Sequence, residues 1–285
     1  LIKNFDDIDR LRFYNVNFGT YVKATIMRQL QIVNLDSTNQ NFRKLLNSFI
    51  FKSLSFVKGA SELYERFKPD LVYMMDQNYT PKGEFFEFFI NKNVKIITSN
   101  TAHVANHFVL KKYSKSNKYE HPFGISNKNW SAAKSEDWND IRWNELKNEL
   151  ENCYSNGSWK PSGATTSFST IDSDFDLHDK LNLDPKKKTA IIFTHIFWDA
   201  TFFWGIDLFK NYEEWLIETI KVAVLNQNVN WLIKIHPSNL VKANKNIIQN
   251  RQFSELKAIE NKIGELPEHI KIIFPDTQIS TYNLL

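Results

Sequence analysis

Between residues 188 and 285, three short runs of strand character alternate with two helical stretches, and this alternation constrains the fold more than any other feature. Residues 189–194 read Thr-Ala-Ile-Ile-Phe-Thr, 230–235 Asn-Trp-Leu-Ile-Lys-Ile and 270–274 Ile-Lys-Ile-Ile-Phe. Runs this apolar suit strands buried on both faces of a sheet. Between the first two, residues 211–226 place Trp215, Leu216, Ile220 and Val224 at helical spacing, and 240–263 reads as a second helix. The order β-α-β-α-β predicts a parallel sheet with crossover helices. A further helix is expected from about Ser280. Open sheets of this kind usually carry about five or six strands. More strands are therefore expected beyond Leu285, and the second domain is read as partial. An opening Leu1 in place of methionine predicts that the native start lies upstream.

The first half repeats the theme. Residues 41–67 carry Phe42, Leu45, Leu46, Phe49 and Ile50 at helical spacing, and Pro69-Asp70 punctuates before a strand at 71–76. Pro81-Lys82-Gly83 opens a helix over 84–91, phenylalanine-rich on nearly every side and so expected to be buried. A strand at 94–98 follows, and strand–helix–strand again predicts parallel pairing in a doubly wound sheet. Residues 126–153 read as polar helix with Trp130, Trp138 and Trp143 as anchors, and the Ser/Thr/Gly-rich stretch from Ser155 to Ser173 as a loop. The expected organisation is an N-terminal domain over 1–154, a linker over 155–187 and a C-terminal domain over 188–285.

Charge and cysteine content narrow the function classes. The net charge is +4 from 36 basic and 32 acidic residues, with no basic block or arginine-rich arm, which argues against nucleic acid as partner. The single cysteine, Cys153, has no partner for an internal disulfide and fits a reducing compartment. No run approaches the roughly 20 apolar residues of a membrane span, since Glu87 interrupts the stretch 85–90. A soluble, at most peripheral, protein is expected. Asp172-Ser173-Asp174 has the spacing of a metal-binding pair, but it sits in the linker and reads as solvated loop, so no metal site is expected. The sequons at Asn78, Asn129 and Asn156 read as chance in an Asn-rich chain.

In an open parallel sheet, ligands collect beyond the carboxyl ends of the strands, where loops diverge and helix N-termini point outward. Lys234 and His236 stand at one such end. Thr194, His195, Trp198 and Asp199 follow the preceding strand, Pro275-Asp276-Thr277 the next, and Ser280 and Thr281 open the following helix. A lysine supplies point charge, a histidine a directional donor, and hydroxyls take remaining oxygens; together these describe a phosphate site. Pro237 fixes the turn after His236. Each piece also has a plainer reading: Lys234 as a solvated strand end, His236 as a hydrogen-bonded turn residue, Ser280 and Thr281 as a helix cap. Trp198 and the cluster Phe202-Phe203-Trp204 read as packing or as a sugar platform.

These residues carry a resemblance. Ile233-Lys234-Ile235-His236-Pro237, then Leu266-Pro267 with 270–277, then Ile279-Ser280-Thr281-Tyr282-Asn283-Leu284-Leu285 resemble the capsule polysaccharide biosynthesis family of bacterial glycosyltransferases. More distantly they are similar to bacterial sialyltransferases and Kdo transferases, which share a His-Pro motif followed by a Ser/Thr motif. Phe193-Thr194-His195-Ile196-Phe197-Trp198-Asp199-Ala200 is similar to the start of that family's second domain. The likeness covers about residues 188–285.

The resemblance implies a GT-B architecture of two Rossmann-like domains facing a cleft, without metal or other cofactor. The donor, a CMP- or UDP-linked sugar, would be held by the second domain, with His236 on its phosphate, Lys234 in support, and Ser280 and Thr281 adding hydroxyls. The acceptor would be a saccharide or lipid-linked saccharide, and the location cytoplasmic, at most against the inner membrane. The resemblance also implies an acidic general base at a strand end of the first domain, and Asp76 is the best match, although Gln77-Asn78 stands where the family has glycine. His103 and His107, expected on a helix face, are rivals, and the turn 15–19 is a further lining element or a plain glycine turn. Two other readings stand beside glycosyl transfer: polyol-phosphate transfer from a CDP-glycerol-type donor, and a non-catalytic binding module of a larger assembly enzyme.

Overall fold

The computed structural model describes residues 2–33, 40–102, 107–156, 176–205, 208–236, 253–275, 277, 279 and 281–284. It is a mixed α/β protein with two three-stranded sheets. The chain divides into two compact units, Leu1–Ile125 with Trp198–Leu208, and Ser126–Phe197 with Phe209–Leu285. The seam differs from the one read in the sequence, because residues 127–156 group with the second unit and 198–208 with the first.

In the first unit α1 (Phe5–Asp9) starts with a capping box between Asn4 and Asp7. A two-residue turn with positive φ at Tyr14 and Asn15 leads into α2 (Phe18–Leu30). Gly19, expected in a turn, lies inside this helix. A Cβ there would sit 1.7 Å from the Ile8 carbonyl oxygen, so only glycine lets α2 approach α1. The long α3 (Gln40–Phe67) precedes β1 (Leu71–Met74), α4 (Lys82–Asn91), β2 (Lys95–Thr101) and β3 (Phe108–Tyr113). The α4 phenylalanines Phe86, Phe88 and Phe89 are buried with Ile96, Val22, Ile26, Phe42 and Val57 in one core.

β1 and β2 pair in parallel as expected, with α4 as the crossover. β3 corrects the expectation of an all-parallel sheet: it pairs antiparallel to β2 in a hairpin closed by the Ala102 amide on the His107 carbonyl at 3.0 Å. The connection 102–107 is far shorter than the dozen or so residues a parallel crossover needs. His107 therefore leads into a strand and does not stand on a helix face.

The second unit holds α5 (Asn127–Ser135), α6 (Asp140–Asn156), α7 (Leu177–Leu181), β4 (Lys188–Phe193), α8 (Tyr212–Leu225), β5 (Val229–Lys234), α9 (Ser254–Lys262) and β6 (Ile270–Ile273), then one 3₁₀ turn, Thr281–Leu284. Trp130, Trp138 and Trp143, on α5, before α6 and on α6, are exposed. The strands are wholly parallel in the order β4-β5-β6. α8 begins at Asn211, whose side chain accepts from the Glu214 amide at 2.9 Å, and buries Leu216, Ile217, Ile220 and Ala223 along one face. Leu232 and Ile233 of β5 are fully buried, which explains the unbroken apolar run of the central strand.

Candidate functional site

The carboxyl edge of β4-β5-β6 is built around Thr194. Its amide and its hydroxyl both donate to the Lys234 carbonyl, at 3.0 and 3.1 Å, and the same hydroxyl accepts the His236 amide at 3.1 Å. One buried threonine thus fixes the backbone from which Lys234 and His236 project. Beside it the His195 ring lies flat on Tyr212 at 4.1 Å and 11°, with its centroid 5.8 Å from that of His236. His195 Nδ1 is 3.2 Å from the Ile196 carbonyl, which accepts its proton when that tautomer is present.

Lys234 is 6% exposed, and its Nζ donates to the Ile279 carbonyl at 3.3 Å. Among the described residues no carboxylate pairs with it, and burial lowers its pKa. A buried ammonium balanced by a neutral carbonyl favours an anion brought to it. Thr194, His195, Lys234 and His236 are therefore brought together, and Tyr212, which sequence reasoning did not single out, joins them. Asp276, Ser280 and Pro237 lie outside the described residues, as does the side chain of Thr281.

Trp198 and Asp199 belong to the first unit, where Trp198 is buried and Asp199 accepts the Tyr79 phenol at 2.8 Å. Burial, followed by the Asp199 charge, drives the Tyr79 phenol far above its ordinary pKa, so it remains a donor. Arg28 lies over the Tyr79 ring at 4.6 Å.

Asp76 lies two residues beyond the end of β1. Its Oδ1 accepts the amides of Gln77 and Asn78 at 2.7 and 3.2 Å, a loop-capping arrangement, and its Oδ2 lies 3.6 Å from Lys82 Nζ. The side chain keeps 31% exposure. The loop it caps is pinned further along, where the Thr80 amide donates to Thr25 and the Thr80 hydroxyl to Glu84 Oε1 at 2.7 Å. Ser53 donates to the same Glu84 oxygen, while Oε2 is buried without a hydrogen-bond partner among the described residues. Burial raises the Glu84 pKa. His103 and the pair Asp172 and Asp174 lie outside the described residues.

The same unit contains a cavity of about 250 Å³, lined by Gln77 and Asn78 of that loop but not by Asp76. Glu87 of α4 is its carboxylate. Glu87 Oε2 accepts the Asn17 amide at 2.9 Å, and Oε1 lies 3.8 Å from Lys118. Burial together with the charges of Glu87 and Glu84 holds the Tyr21 phenol well above the ordinary value. Phe203 stacks on Tyr21 at 5.7 Å and 12°, and Trp204 meets His121 edge-on at 4.9 Å. Burial and the nearby Lys111 lower the His121 pKa and favour a neutral ring. Sequence reasoning passed over Glu87, yet a lone carboxylate in a phenylalanine-rich buried helix was the available signal. Among the described residues no group of three His, Cys, Asp or Glu is placed to hold a metal, and no helix is long and apolar enough to cross a membrane.

Comparison of the chain with protein-family models, with curated proteins and with solved structures finds no significant match.

Proposed function

We propose that the chain is a glycosyltransferase of GT-B type that moves a sugar from a nucleotide donor onto a growing bacterial surface polysaccharide. The observation that carries this reading is Lys234, a buried ammonium without a carboxylate partner among the described residues, held beside His236 and His195 at the carboxyl edge of a parallel sheet. Such an edge is where α/β sheets take phosphorylated ligands.

In this mechanism the acceptor hydroxyl attacks the anomeric carbon, the bond from that carbon to the donor phosphate breaks, and the nucleotide leaves with the bonding pair. Lys234 and His236 stabilise the negative charge gathering on the departing phosphate. The hydroxyl proton passes to a carboxylate, assigned to Asp76, whose side chain is half-buried. Two Rossmann-like domains facing a cleft are the architecture the resemblance implies, with a saccharide or lipid-linked saccharide as acceptor.

The test is product analysis with CMP-sugar, UDP-sugar and CDP-glycerol donors, on the wild type and on Asp76→Asn. Glycosyl transfer is expected, slowed roughly 10²- to 10⁴-fold in the variant, the usual worth of a positioned base. Transfer from CDP-glycerol alone contradicts the sugar assignment, and full activity in Asp76→Asn removes Asp76 from the mechanism.

A further inference from the structure

The cavity of the first unit has a chemistry of its own, independent of the donor edge. Its walls are aromatic, with Tyr21, Phe203 and Trp204 among them, while Glu87, Lys118 and Asn78 bring polar atoms to the same space. Its volume of about 250 Å³ lies just under the roughly 300 Å³ at which sites for drug-sized ligands begin, so it suits a single ring.

Charge and satisfaction narrow the ligand. Glu87 faces Lys118 at 3.8 Å, so the lining carries one negative and one positive group, and a multiply charged phosphate would meet a carboxylate as well as an ammonium. A wholly apolar ligand would cover the Asn78 amide without offering it a donor, at a cost of about 1–3 kcal/mol for an unpaired group. The carbonyl oxygen of Asn78 is already buried without a hydrogen-bond partner among the described residues. A ligand hydroxyl supplies the missing donor once the amide turns to the cavity. Gly205, directly after Trp204, has φ +91°, a conformation that a side chain would strain.

We infer that this cavity binds one uncharged pyranose ring, its C–H face against the aromatic wall and its hydroxyls donating to Glu87 and Asn78. The proposal stands whether or not the donor reading holds, because it needs no nucleotide.

Saturation-transfer NMR and tryptophan fluorescence on the whole chain, without nucleotide, test it with a panel of neutral, N-acetylated and carboxylated methyl glycosides and with glycerol. Saturable binding of a neutral or N-acetylated glycoside is expected, weakened roughly tenfold or more in Glu87→Gln and in Asn78→Ala. Glutamine keeps an acceptor for the Asn17 amide, and Asn78→Ala removes a carbonyl that has no partner, so its melting temperature should not fall. The proposal is overturned if no glycoside of the panel binds at roughly 50 mM, far above a millimolar Kd. It is also overturned if glycerol or the carboxylated sugars bind as well as the neutral rings, or if both variants bind as the wild type does.

Discussion

Glu84 shows how one residue couples the candidate site to pH. It is fully buried at the start of α4, where Ser53 and Thr80 both donate to one of its oxygens. Burial nevertheless dominates and raises its pKa above the ordinary 4.5. Between 4.5 and that higher value the folded protein holds a proton that the unfolded chain has released. Stability from this group is therefore complete at acid pH and is lost as pH rises through the window. Glu84→Gln, which cannot ionise, should gain stability relative to the wild type as pH increases from about 4.5, then keep a constant difference. Thermal melts of both proteins across that range check this, and parallel curves would show that Glu84 is ionised in the fold.

At the scale of elements, segment 198–208 is held to its unit by Tyr79, whose phenol reaches Asp199, and by the stacking of Phe203 on Tyr21. Tyr79→Phe keeps the ring under Arg28 and deletes the donor. It should cost about 1.5–3 kcal/mol, the scale of a hydrogen bond to a charged group, and hasten proteolysis within 198–208. Unaltered melting and unaltered cleavage would mean that this bond holds nothing. A contact spanning so much sequence was not legible, because no local pattern around Asp199 reveals Tyr79 as its partner. β3 was hidden for a related reason. Its Lys111 is buried because the carbonyls of His121 and Gly124 and the Glu120 carboxylate enclose the ammonium at 2.8–2.9 Å, and all three come from a later loop. β5 and α4, by contrast, were legible, since burial on both faces or all round writes itself as continuous apolar sequence, and β4 and β6 were legible from their short apolar runs.

For the whole molecule, alternating strands and helices identified an α/β protein, and the parallel β4-β5-β6 sheet is the part that most limits what the chain can do. Its carboxyl edge collects Thr194, His195, Lys234 and His236, as their positions after successive strands predicted. The Tyr212 ring beneath His195 was not legible, because its stacking depends on where α8 starts and not on any motif. The measurement that bears most directly on the account is calorimetric titration of the chain with CMP, UDP and their sugar conjugates, for the wild type and His236→Ala. The account predicts nucleotide binding that weakens by about 1.5–3 kcal/mol in the variant with melting temperature preserved. Because burial lowers the Lys234 pKa, affinity should also decline with rising pH before an ordinary lysine would titrate. Unchanged affinity in His236→Ala alongside a large loss of stability would contradict the account and leave the histidine as a structural turn residue.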